Sequence, residues 1–122
     1  MLAAIAWLVL AAIHLLPALA LLRPQLITAL YGVESGSVGA LLLQHRAALF
    51  GVVLLVCLWA AFQPDVRRLA VIAVAISMIS FLILYWGQGS PPALRMIAIA
   101  DLVGLPFLAL AAWQAFRSDQ LP

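Results

Sequence analysis

Residues 38–62 read VGALLLQHRAALFGVVLLVCLWAAF, an apolar run broken once, at Gln44-His45-Arg46. At about 1.5 Å per residue, a helix of this length crosses the roughly 30 Å of hydrocarbon in a bilayer. An arginine with a histidine and a glutamine beside it is costly several residues inside such a run. Ionisable groups there face a partner or a wet cavity, and they mark function by default. The run points to the fold class, and the break in it picks out the candidate site.

Composition agrees along the whole chain. Of its 122 residues, 68% are hydrophobic and 8% charged. A soluble domain is about half apolar and about a quarter charged. Lipid must therefore be the solvent for most of this chain, and its length leaves room for one domain, residues 1–122, without an appended soluble module. The cations are Arg23, Arg46, Arg67, Arg68, Arg95 and Arg117, set against Glu34, Asp65, Asp101 and Asp119. The net charge of +2 comes with no basic run beyond Arg67-Arg68, so no nucleic-acid partner is expected. The single cysteine, Cys57, cannot form an internal disulfide and lies in an apolar stretch, as a buried structural thiol does.

Four apolar runs, at about 2–22, 38–62, 66–86 and 93–116, each have the length of a spanning helix. The expected fold is all-α: an integral membrane four-helix bundle, since helices satisfy their own backbone in lipid. The first run has a small-x-small stretch at Ala18-Leu19-Ala20, but it lacks a basic leader and exceeds a signal peptide's apolar core, so it reads as a retained helix. Turn chemistry separates the runs. Arg23-Pro24 ends the first, and Ser37 is a candidate N-cap for the second. Pro64 and Asp65 suit the start of the third, and Ser90 then Pro91 the start of the fourth. Pro17 and Pro106 are expected to kink their helices, and Gly51 and Gly104 to allow close helix approach. In the first loop Leu26, Ile27, Leu30 and Tyr31 share one face, which predicts a short interfacial helix ended by Gly32. Leu26, Leu30 and Tyr31 are lid candidates over a cavity mouth.

With four spans, both termini and the 63–65 turn share one side, flanked by Arg67, Arg68 and Arg117. That arginine excess predicts that both termini are cytoplasmic. Trp7, Trp59 and Trp113 fall near that interface and Trp86 near the other, as an aromatic belt. The polar residues occupy the opposite half. His14, His45, Arg46 and Asp101 all lie roughly 10–13 Å from that side at about 1.5 Å per residue. Ser77 and Ser80 share a face of the third helix at similar depth, and Gln44 and Gln88 lie nearer the mouth. A common level on all four helices predicts one gathered cluster, with Arg46 and Asp101 as an ion pair. Arg95 can snorkel to the interface instead.

Two roles fit such a layer. One is a pocket for a molecule with a polar head and an apolar body, lipid- or quinone-like, lined by His14, Gln44, His45, Arg46, Ser77, Ser80 and Asp101. The other is packing alone, in a structural or accessory subunit whose polar contacts fix helix order. No cofactor is predicted. The alternative is a b-type haem held by His14 and His45, with no Met-rich, Cys-rich or further His pattern beside them. A nucleophile elbow, a His-Glu-x-x-His zinc motif, a phosphate loop and a dinucleotide turn are all absent from the sequence.

Ile13-His14-Leu15-Leu16-Pro17, Leu30-Tyr31-Gly32-Val33, His45-Arg46-Ala47, Leu49-Phe50-Gly51, Ser80-Phe81 and Ala100-Asp101-Leu102 together resemble a family of small bacterial four-helix membrane proteins. The family has no established activity. Its members often carry the name phosphopantetheine adenylyltransferase, which fits a soluble nucleotide-binding fold. The His-x-Gly-His signature of that enzyme does not occur here, so its chemistry is not expected. In general plan the chain also looks like DoxX-like four-helix proteins. The resemblance implies that His14, His45, Arg46 and Asp101 matter, and it supplies no reaction.

Overall fold

The computed structural model describes residues 2–23 and 25–117, with all their side chains save that of Leu30. Pro24, Asp119 and the side chain of the lid candidate Leu30 therefore lie outside the described residues. The helices are α1 (Leu2–Leu19), α2 (Gln25–Tyr31), α3 (Val38–Phe62), α4 (Arg67–Gly87) and α5 (Arg95–Arg117). Single 3₁₀ turns at Pro64–Val66 and Pro92–Leu94 lead into α4 and α5. The fold is an all-α four-helix bundle with a short fifth helix in the first loop. Four of its helical segments are long and apolar enough to cross a membrane.

Local chemistry sets the helix ends. The Ser37 side chain accepts from the Ala40 N–H at 3.0 Å and donates to the Glu34 carbonyl at 2.7 Å, so it caps α3 as expected. At the far end of α3, Arg67 folds back and donates to the carbonyls of Ala60 and Ala61 at 2.7 and 3.1 Å. These last-turn carbonyls have no partner within the helix. The start of α5 differs from expectation. Ser90 adopts a left-handed φ of 55°, so the cap falls on Pro91 and the turn begins at Pro92. α1 stops at Leu19, three residues earlier than its apolar run, and unwinds through turns at Ala20–Leu22.

Around the bundle, α3 lies along α1, α1 against α5, and α5 against α4. The ring is tight at one end only. At the end of the Pro64–Val66 turn, Cys57, Ala60 and Ala61 of α3 share a dry core with Trp7 and Leu10 of α1, Val71 and Val74 of α4 and Leu108 of α5. Small side chains let the helices approach closely there. Gly104 marks the tightest crossing: a Cβ on it would lie 2.7 Å from Met78 Cε and 2.8 Å from Ile13 Cδ1. Gly51, expected to do the same, faces open space. Trp7 is also placed differently from expectation. It is fully buried, because it falls on the inward face of α1 with Leu10 and His14, while Trp59, Trp86 and Trp113 are exposed.

Toward the opposite end α3 and α4 part. Before Cys57, the one buried residue of α3 is Ala47, and it packs with Ala20 and Ile27 beneath α2. Helix α2 touches both α3 and the Pro92–Leu94 turn, so it lies across this looser end. Leu26 and Tyr31 are half-buried against the Ala20–Ile27–Ala47 cluster.

Candidate functional site

A groove of about 780 Å³ runs between α3 and α4 where they separate. Its walls are apolar: Leu49 and Val53 of α3, Ile76 and Leu84 of α4, and Leu94 at the mouth. Three aromatic rings line it as well, Phe50, Phe81 and Tyr85, and the last two stack with centroids 6.0 Å apart. Polar groups enter from Arg46, Ser77, Ser80 and Gln88. The volume lies within the roughly 300–1,000 Å³ usual for small-molecule sites, which are mainly apolar with a few placed polar groups.

Arg46 is the chemical centre. Its guanidinium lies over the Phe50 ring at 4.9 Å and over the Phe81 ring at 5.1 Å. One ring is a helical turn away on α3, and the other reaches across from α4. The expected ion pair with Asp101 does not form, since no salt bridge occurs among the described residues. The faces of two rings hold the cation instead, and they spare it the reach to α5. The N–H groups of Arg46 find no acceptor among the described residues, so five donors remain for whatever occupies the groove.

Asp101 lies behind this wall. It is 7% exposed, does not line the groove and accepts no hydrogen bond among the described residues. Arg46 is the charged group whose field reaches it. The same field reaches Tyr31 on α2. Burial pushes the Tyr31 phenol above its ordinary value of 10.0, and the Arg46 charge pulls it partly back. Helices α2, α3 and α5 thus each bring an ionisable side chain within electrostatic range of one point.

His14 is 2% exposed and its ring lies 5.9 Å from that of Phe50. Its Nδ1–H donates to the Leu10 carbonyl at 2.8 Å, which leaves Nε2 as an enclosed acceptor with no partner. His45 is not in the cluster. Neighbouring residues on a helix are about 100° apart, so turning Arg46 inward turns His45 out onto the exposed face of α3. The two histidines therefore do not share one enclosed space. Among the described residues, no three His, Cys, Asp or Glu side chains could hold a metal together. Gln44 donates to the Leu21 carbonyl at 3.4 Å and borders a smaller cavity of about 330 Å³ under α2, separate from the groove. Ser80 spends its hydroxyl proton on the Ser77 carbonyl at 3.3 Å.

Of the expected residues, Arg46, Ser77 and Ser80 line the groove, Asp101, His14 and Tyr31 flank it, and Gln44 and His45 lie away from it. Phe50, Phe81 and Tyr85 were not anticipated. Phe50 is four residues from Arg46, the spacing at which side chains meet on a helix, so it was findable. Compared with family models, with curated proteins and with solved structures, the chain matches none.

Proposed function

We propose that the chain is a multi-pass membrane protein that binds a lipid- or quinone-like molecule in the α3–α4 groove. Arg46 carries the proposal: among the described residues it has no ion-pair partner or hydrogen-bond acceptor, and it stands at the wall of a mainly apolar groove. A molecule with an acceptor-rich head and an apolar body completes both halves of that surface. Asp101 sits within electrostatic range of Arg46. The arginine excess beside the tight end favours both termini on the cytoplasmic side, and the resemblance to a family of small bacterial membrane proteins implies a bacterial inner membrane.

The test is mass spectrometry of small molecules retained by the protein purified in a mild detergent. The wild type should retain an amphipathic compound, and Arg46→Gln should lose it while remaining folded. Equal retention by both proteins, or none by the wild type, counts against the groove.

One observation favours packing as the second role. Arg46 on α3 lies over Phe81 on α4, so the cation bridges the two helices where they separate. If that bridge is its whole purpose, Arg46→Gln should melt the bundle and change no ligand content.

A further inference from the structure

We propose that the occupant of the α3–α4 groove is a single-chain anionic amphiphile, a long-chain carboxylate, drawn sideways from the surrounding leaflet with its head on Arg46. This rests on the groove being a binding site, as argued above, and names the class of molecule it takes.

The head follows from the guanidinium. Its positive charge already has two aromatic faces, Phe50 and Phe81, within about 5 Å. What it lacks is an acceptor for its N–H donors. A carboxylate or phosphate accepts two parallel bonds from that planar fork, which a single ether or ester oxygen cannot match. One guanidinium matches one negative charge: a carboxylate brings one, a phosphate monoester about 1.5 to 2.

The tail follows from the walls and the volume. Leu49, Ile76 and Leu84 line the groove and are more than half exposed, so it is open along its side, not only at its end. A chain can slide in from lipid without crossing water. At roughly 30 Å³ per water-sized group, 780 Å³ holds on the order of 26 such groups. That accommodates one acyl chain with its head, but not the two chains and larger head of a phospholipid.

The test uses the full chain in a non-ionic detergent with three radiolabelled probes: oleate, methyl oleate and dioleoylphosphatidylglycerol. Oleate should bind one to one. Methyl oleate should bind roughly ten- to hundredfold more weakly, as expected for losing a charge-assisted pair. Arg46→Gln should bring oleate down to the methyl oleate level, and Ser77→Phe, which fills the groove, should remove both. If oleate and methyl oleate bind alike to the wild type, and Ser77→Phe still abolishes both, the acidic head is refuted and the groove stands. Preference for the phospholipid refutes the single chain. No binding of any probe to folded protein refutes the groove as well. Should Arg46→Gln fail to fold, the ratio of the two oleates on the wild type decides.

Discussion

Replacing Arg46 by methionine should leave the stability of the bundle nearly unchanged. Two terms of opposite sign set the outcome. Arg46 lies 4.9 and 5.1 Å from two ring centroids, and each such contact contributes about 1 kcal/mol, between the exposed and the desolvated cases. Methionine gives up both, a loss of about 2 kcal/mol. Against this, an arginine at the centre of a spanning helix costs about 2.5–3.5 kcal/mol, and less toward its end. Arg46 lies roughly 12 Å into α3, so its removal should relieve about 1–3 kcal/mol. Methionine also fills much of the same volume. The net change should fall within about 1 kcal/mol of zero. Reversible unfolding in mixed micelles of mild detergent and dodecyl sulfate, followed by loss of helicity, measures it. Phe81→Leu and the double variant complete a cycle whose coupling should be about 1 kcal/mol. Destabilisation by Arg46→Met of more than about 3 kcal/mol would refute this balance and make Arg46 a packing strut.

Three further outcomes test the frame around the site. Gly104→Leu should destabilise by about 1–3 kcal/mol in the same assay, because even a Cβ there comes within 2.8 Å of Met78 and Ile13; Gly104→Ala should cost less, since both neighbours are side-chain ends that can shift. Ser37→Ala should cost about 1 kcal/mol by uncapping α3, and Ser35→Ala, two residues before that cap, should cost almost nothing. Tyr31 should ionise above pH 10, as read from the 295 nm absorbance lost in Tyr31→Phe. Because its folded-state value is raised, the folded chain holds the proton longer than the unfolded one. The associated stability is present below pH 10 and fades as pH rises through the higher folded value, a fade that Tyr31→Phe should remove.

Depth was legible in the sequence and direction was not. Counting residues from the helix ends places His14, Arg46 and Asp101 in one half of the bundle, and the helix bounds agree, while Ser77 falls at the middle of α4. The count is reliable because a helix rises by a fixed step. Direction around each helix needs a contrast between faces, and helices apolar all round give none. Nothing in Gln44-His45-Arg46 says which of the three turns inward. Trp7 was misplaced for the same reason: its depth fits an interfacial belt, but its face belongs to the core. The order of helices around the ring was equally hidden. Without it, Asp101 was the natural partner for Arg46, and the Phe81 ring on α4 could not be foreseen. Ser37 was readable because a cap depends on the few residues next to it and not on the partner helix.

The two ends of α3 show why a site forms at one end of this bundle and not the other. From Cys57 onward its inward residues are small, Ala60 and Ala61 facing Ala70, and the backbones close over a core with no room for a guest. Before Cys57 the inward positions carry Arg46, Phe50 and Val53, which hold α4 off at the width of the aromatic side chains. Separation is therefore built from bulk, and polarity is added at one point within it. Packing alone would not require this, because alanines at positions 46, 50 and 53 would let α3 and α4 close along their full length as they do beyond residue 57. Filling the gap between apolar helices with an arginine gives up that burial and places a charge in a low-dielectric space. An occupant that brings its own apolar chain and an oxyanion would recover both losses, as the proposed binding groove requires.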